Sequence, residues 1–430
     1  MSREMTAVQN RSNGASESRM NDVLVHLANA LLMLYTISIY VWSSNASMYV
    51  YSNLLCLATL VVMLLVVAPR RGITITRPLG YLIAFGAFCI TSILWAEEPV
   101  RSITMAFKTL PLLILFAIVL YNYLRYIKNG KEYLLNCVYV SGIVLALYVI
   151  WIQGGPGAYL SLLGTGVRIG GEVANENVVG MAAAFSFIIA FYHVLYEHRM
   201  PHAAMMVLCG LVAFGAGSNK ALIAMVFGCL MLLVFNAYLT GTVMSLLKSA
   251  GLLVVLACVL LALLQLPMFE TLNTRFNEML NTFTGSGKGS ASTAERIGFI
   301  QAGLKQFAET PLLGIGIGNS GLITQQVTIG TDTYLHNNYV ELLACVGAVG
   351  TLLFYAATLT SLLSVLKKGK YNDARAILVA IMIMAWLVIQ VGYVSYSEKT
   401  TYIYIVLIAL YAGSVNNSRF HLLHRRGIYE

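Results

Sequence analysis

The chain has 430 residues, of which 58% are hydrophobic and only 10% charged, against ~25% charged in a soluble globular protein. Its formal charge is +9, but the basic residues are dealt out between apolar runs, which excludes a nucleic-acid-binding patch. Several of those runs approach the ~20 residues that cross a bilayer, so the expected fold class is an all-α integral membrane protein.

In chain order, residues 1–21 are polar, carry Arg3, Arg11 and Arg19, and read as a disordered cytoplasmic tail. They lead into a full-length apolar span and not into a short leader core, so no cleavable signal is expected. Apolar runs bounded by turn and charge signals predict 12 transmembrane helices, at 22–43, 49–68, 79–95, 103–123, 133–152, 178–197, 203–218, 221–240, 250–267, 338–363, 376–395 and 400–416. Spans one to nine thus fill 22–267, a hydrophilic extracytoplasmic loop takes 268–337, and spans ten to twelve fill 338–416. Residues 417–430 form a second cytoplasmic tail. The seven cysteines all fall in apolar runs without metal-ligand spacing, so neither a disulfide framework nor a zinc site is expected.

The basic residues set the orientation. Of the 27 Lys and Arg, 18 fall in the tails and in loops of one parity. The short loops of the other parity carry only Arg101, Arg168, Lys220 and Lys399. By the positive-inside rule both termini are cytoplasmic and the long loop is outside. Arg168, Lys220, Arg296 and His336, distant in sequence, are therefore expected on one outer face, where they can gather around an anionic ligand.

The outer segments carry the candidate chemistry. Residues 153–177 form a glycine-rich loop including Gly170, in which backbone amides can approach a ligand closely. It lacks the G-x-x-x-x-G-K-[ST] pattern of a nucleotide loop, and Asn175 and Asn177 are placed to cap the next span. In the long loop, residues 284–290 read as a polar strip and 294–304 as an amphipathic helix at the membrane surface. A glycine-rich re-entrant turn with Gly314 and Gly316 follows. The one outward aspartate is Asp332, too little oxygen for a divalent cation, so neither a metal site nor a cofactor is expected. Arginine then has to hold any phosphate, which its forked guanidinium does well. His336 is the one outward histidine, at a helix start beside Asn337 and above Glu341. An imidazole near its ordinary value of about 6.5 is a competent base at neutral pH. Gly347 and Gly350, about three turns deeper, suit close helix packing.

His336-Asn337, nine residues, then Gly347-x-x-Gly350 resembles the signature of bacterial O-antigen ligases. The flanks resemble the wider O-antigen ligase and polymerase superfamily over roughly residues 80–400: Arg168 through Asn177, Ser218-Asn219-Lys220, and Arg296 through Gly318. Lys220 departs from the arginine common at its place. The resemblance implies a GT-C-like fold and a metal-independent, inverting glycosyltransferase of the bacterial cytoplasmic (inner) membrane. Its donor would be an undecaprenyl-diphosphate-linked glycan, moved en bloc to a lipid A–core acceptor, with membrane lipids as surroundings. His336, Asn337 and Glu341 would be catalytic, and Arg168, Arg296 and Lys220 would bind the diphosphate. Gly170, Asn177, Gly314, Gly316, Gly347 and Gly350 would shape the loops and their packing. A repeat-unit polymerase of the same superfamily is the alternative, and a transporter or flippase the alternative of another class.

Overall fold

The computed structural model describes residues 2–42, 46–69, 72–165, 167–240, 291–368 and 373–426, with scattered positions between 241 and 290. The expected ninth span at 250–267 is described only in part, and Arg275, Lys288 and the polar strip at 284–290 lie outside the described residues. Every regular element among the described residues is helical. Among the described residues nine helices are long and apolar enough to cross a membrane, and two shorter apolar helices cover 201–215 and 399–413. These eleven coincide with eleven of the twelve expected spans.

In chain order the helices are α1 (Ser2–Val41), α2 (Ala46–Val67), α3 (Arg77–Thr91), α4 (Pro99–Ile103), α5 (Leu110–Tyr126), α6 (Gly130–Ile152), α7 (Pro156–Leu163) and α8 (Glu176–Tyr196). After them come α9 (Pro201–Gly215), α10 (Asn219–Thr240), α11 (Ala291–Glu309), α12 (Ser320–Val327), α13 (Asn338–Lys368), α14 (Ala374–Ile389) and α15 (Lys399–Arg426). The tail expected as disordered at 1–21 is the beginning of α1, which is helical from Ser2. Helix starts follow proline chemistry. Pro78, Pro99, Pro111, Pro156 and Pro201 each sit in a first turn, where the missing N–H has no partner to lose. Pro111 also explains the π-helical stretch Thr104–Thr109 that joins α4 to α5, since no amide is available there to keep the ladder in register.

Of the nine long spans α8 and α14 are the most buried, with α6, α9 and α10 packed around α8, and α15 is buried throughout 401–412. α3, α11 and α15 surround α13. Between lipid-embedded helices burial supplies little drive, so small residues that permit backbone contact matter most. Gly142 on α6 shows it: a Cβ there would lie 2.1 Å from Ser186 Oγ and 2.6 Å from the Ala182 carbonyl on α8.

The described connections sort into two ends of the bundle. At one end Lys131 pairs with Asp373 at 3.0 Å and Arg375 with Glu197 at 2.8 Å. At the other, Arg101 pairs with Asp332 at 2.7 Å, Lys399 reaches Asn53, and the Asn338 side chain holds the amides of Ser395 and Tyr396. α11 and α12 cover this second end over a small core of their own, in which Phe299, Ile315, Ile323, Leu335, Val340 and Ala344 are buried. The expected amphipathic helix at 294–304 is therefore real and longer, and α12 is an element that sequence reading did not anticipate.

Candidate active site

α13 breaks at Gly347, whose φ of 62° and ψ of −170° no helix contains. The hydrogen bonds that the break releases are all re-made with the 311–318 segment. Ala344 O and Cys345 O accept from the amides of Ile315 (3.1 Å) and Gly316 (2.9 Å). In return the amides of Ala348 and Val349 donate to Pro311 O (2.8 Å) and Leu312 O (3.3 Å). Gly347 is needed because a Cβ would fall 2.2 Å from Leu312 O, and Gly314, at φ 67°, because one would fall 2.4 Å from the Cys345 carbonyl carbon. Gly316 has φ 96° and packs on Ala96. The expected role of Gly347 in helix–helix packing is thus corrected: it passes a loop backbone through a helix. Gly350 does pack a helix, facing Phe88 of α3.

This crossing fixes the start of α13. Asn337 Oδ1 accepts the amides of Tyr339 (3.0 Å) and Val340 (3.1 Å), so Asn337 caps the helix. Glu341, 2% exposed, turns back and accepts the Leu335 amide through Oε2 at 2.8 Å. Ser320 and Tyr396 bond the same carboxyl. Asn338, which sequence reading did not single out, donates to Tyr355 Oη and Gln390 Oε1 while accepting from Ser395 and Tyr396. A fully buried amide with four partners locks the 393–397 loop to α13.

Between these anchors His336 adopts φ 58°, a left-handed conformation that lifts its side chain out of the turn. Its ring lies 4.3 Å from that of Tyr334 and stacks at 6.2 Å, nearly parallel, on Phe299 of α11. Burial first, then the charges of Arg296 and Lys220, push His336 down from the ordinary 6.5 to about 4. The expectation of an imidazole near its ordinary value is corrected accordingly: burial and the charges of Arg296 and Lys220 disfavour its protonated form. Arg296 is exposed on α11, one turn before Phe299, and Lys220 opens α10 against Gly392.

Arg168 is anchored separately. Its Nε donates to Ala216 O at 2.9 Å, Nη2 reaches Asn177 Oδ1 at 3.4 Å, and Nη1 faces Glu176 at 3.4 Å. Asn175, not Asn177, caps α8, accepting from the Asn177 amide. Asn177 Oδ1 instead takes Arg168 and the Ser218 hydroxyl, 3.1 Å away. Ser218 directly precedes Asn219 and Lys220 at the start of α10, so Arg168 connects to the His336 group through Asn177 and the α9–α10 elbow. Gly170, at φ 108°, turns its carbonyl to the amides of Val173 and Ala174 and seats the loop on Val179. The loop expected at 153–177 contains α7, whose Tyr159 hydroxyl donates to Leu211 O on α9.

The structure thus brings His336, Arg296 and Lys220 together, sets Asn337 and Glu341 as their scaffold, and holds Arg168 beside the elbow that carries Lys220. A family model described as O-antigen ligase matches residues 204–355. No curated protein matches the chain. The matched span runs from α9 into α13 and takes in Lys220, Arg296, His336 and both glycines of the α13 motif, while Arg168 precedes it.

Proposed function

With its O-antigen ligase domain at 204–355 the chain is placed in the O-antigen ligase and polymerase superfamily of glycosyltransferase-like membrane enzymes, and from that premise we propose the reaction and its residues. The protein transfers a glycan en bloc from undecaprenyl diphosphate to an acceptor sugar, at the outer face of the bacterial inner membrane. The observation that carries this reading is the His336 ring, set against Tyr334 and Phe299 and within the fields of Arg296 and Lys220.

Two fixed cations beside a base suit a diphosphate leaving group. The acceptor hydroxyl attacks the anomeric carbon, the bond from that carbon to the diphosphate oxygen breaks, and the diphosphate leaves with the electron pair. Arg296 and Lys220 stabilise the charge that develops, in a site partly screened from water. The hydroxyl proton passes to a ring nitrogen of His336. Direct displacement inverts the anomeric centre. An imidazole held near 4 is a poor base, but the bound diphosphate cancels the field of the two cations and raises its proton affinity. The donor thereby activates the base that its own displacement needs, and no metal takes part. Arg168, tied to Asn177, reaches the same diphosphate from the α8 side.

The basic-residue parity supports cytoplasmic termini and an outward site. The description of the matched family favours the ligase reading, and that reading takes lipid A–core as acceptor. The test is transfer in membranes supplied with a lipid-diphosphate glycan and either lipid A–core or a second lipid-linked repeat unit. His336→Ala and Arg296→Ala should abolish transfer while inserting normally. Undiminished transfer by His336→Ala would remove the assigned base, and elongation of the repeat unit alone would make the protein a polymerase.

A further inference from the structure

A cavity of about 500 Å³ is lined from α1, α2, the Thr104–Thr109 stretch, α8, α14, α15 and the loops before α8 and α15. Its size falls in the ~300–1,000 Å³ range of small-molecule sites. The rings of Tyr40, Tyr49, Phe185, Trp386, Tyr393 and Tyr404 form much of the wall. Four of them are continuous: Tyr404 lies 5.3 Å from Phe185 and 6.0 Å from Trp386 between ring centroids, and its hydroxyl is 3.4 Å from that of Tyr40. Interleaved with the rings are the polar groups of Ser52, Thr109 and Asn175, together with Glu398 and Lys399.

The charges in this wall are balanced and dissimilar in availability. Lys399 is engaged, with Nζ 2.7 Å from Asn53 Oδ1 and 4.4 Å above the Tyr49 ring. Glu398 lines the cavity and is accessible from it, while the protein around it keeps its carboxyl above the ordinary range. Two relations connect the cavity wall to the residues around His336. Tyr334, whose ring touches His336, feels the charge of Glu398 as well as that of Arg296. Tyr393 of the wall follows Gly392, against which Lys220 packs.

We propose that this cavity is a subsite for one uncharged sugar ring of the glycan next to the reacting centre, held by stacking on Trp386, Tyr393 and Tyr404 and by hydroxyl bonds to Glu398. The assignment rests on the transferase reading given above. Aromatic faces accept the C–H face of a pyranose, and a carboxylate with hydroxyls around it accepts and donates along the ring's edge. A prenyl chain fits less well, because it would strip water from Glu398 and the wall hydroxyls without replacing their hydrogen bonds. A diphosphate fits less well too, since the cavity's one cation is already engaged and a carboxylate faces the space.

The sugar can come from the acceptor or from the donor, and two probes separate them. One is an array of bacterial oligosaccharides printed through their reducing ends, which offers the end that an acceptor presents. The other is a set of soluble oligosaccharyl 1-phosphates, read by the fluorescence of a protein that retains Trp386 as its one tryptophan. Detergent-solubilised wild type should be captured by discrete glycans, or quenched saturably by particular 1-phosphates. Glu398→Gln and Tyr393→Ala should weaken that binding roughly tenfold or more, with melting temperatures close to wild type. His336→Ala should bind the same sugars unchanged, which separates this subsite from the transfer chemistry. Capture by neither probe would overturn the assignment, as would binding equal in wild type and in both folded variants. Loss of transfer in His336→Ala with sugar binding absent everywhere would leave the transferase reading standing and remove the subsite alone.

Discussion

Gly347 and Leu312 touch through their backbones: a Cβ on Gly347 would lie 2.2 Å from the Leu312 carbonyl oxygen. Through this crossing the 311–318 segment threads α13 and carries its own anchors, Glu97 N to Ile315 O at 3.0 Å and the Ser102 hydroxyl to Ile317 O at 2.7 Å. The turn that holds His336 is therefore positioned by hydrogen bonds that reach from α13 to α4.

Gly347→Ala meets both a positive φ and a carbonyl that cannot move aside. A loss of about 3 kcal/mol or more is expected, seen as a sharply lower melting temperature in detergent. Gly350→Ala meets side chains, the nearest on Phe88 at 3.0 Å and on Val346 at 2.5 Å, which can shift, so its melting temperature should fall much less. Equal effects at the two glycines would contradict the crossing.

Glu341 is buried and acts on the fold through the Leu335 amide. Glu341→Ala orphans that amide and the hydroxyls around it, at a cost of about 1–3 kcal/mol, and should lower transfer by loosening His336. Glu341→Gln keeps an acceptor for the amide and should restore most of the stability and a large part of the activity. A Gln variant as inactive as the Ala variant, at wild-type stability, would show that the carboxylate itself takes part in the chemistry.

Because folding lowers His336 from 6.5 to about 4, the unfolded chain binds the proton more readily between those values. The group's contribution to stability is present above pH 6.5 and is lost as pH falls toward 4. Denaturation midpoints measured across that window should fall less steeply with acid in His336→Gln than in wild type. In Arg296→Ala the titration of His336 should move up without reaching 6.5, since burial is the larger cause and Lys220 remains. Parallel acid profiles for wild type and His336→Gln would rule out a proton-poor imidazole.

How much of this was legible in the sequence depends on the kind of signal. Spans were readable because hydrophobicity and length decide them: the eighth span was expected to start at 221, and α10 starts two residues earlier, at Asn219. His336, Arg296 and Lys220 were readable as a group, with Arg168, because they are among the few ionisable side chains in segments of one parity. The helix break at Gly347 was not, since Gly-x-x-Gly spacing also suits ordinary helix packing and φ is invisible in composition. Asn338 was hidden for a related reason: adjacent asparagines at a helix start look alike, and only tertiary contacts make one the cap and the other a four-bonded bridge. The depressed state of His336 likewise arises from burial and from the charges of Arg296 and Lys220, all of them tertiary. Glu398 and the aromatic rings around it are spread over six segments, and no spacing connects them.

The central claim is that a diphosphate occupies the space between Arg296 and Lys220 and acts on His336. Isotope-labelled histidine NMR of the protein in detergent, titrated from pH 3 to pH 8 with and without a short prenyl diphosphate, measures it directly. The His336 midpoint should stand near 4 in the empty protein and rise by about one unit or more when the diphosphate binds, and the rise should vanish in the Arg296→Ala, Lys220→Ala double variant. A His336 midpoint that stays where it was, while the prenyl diphosphate demonstrably binds, would contradict the account.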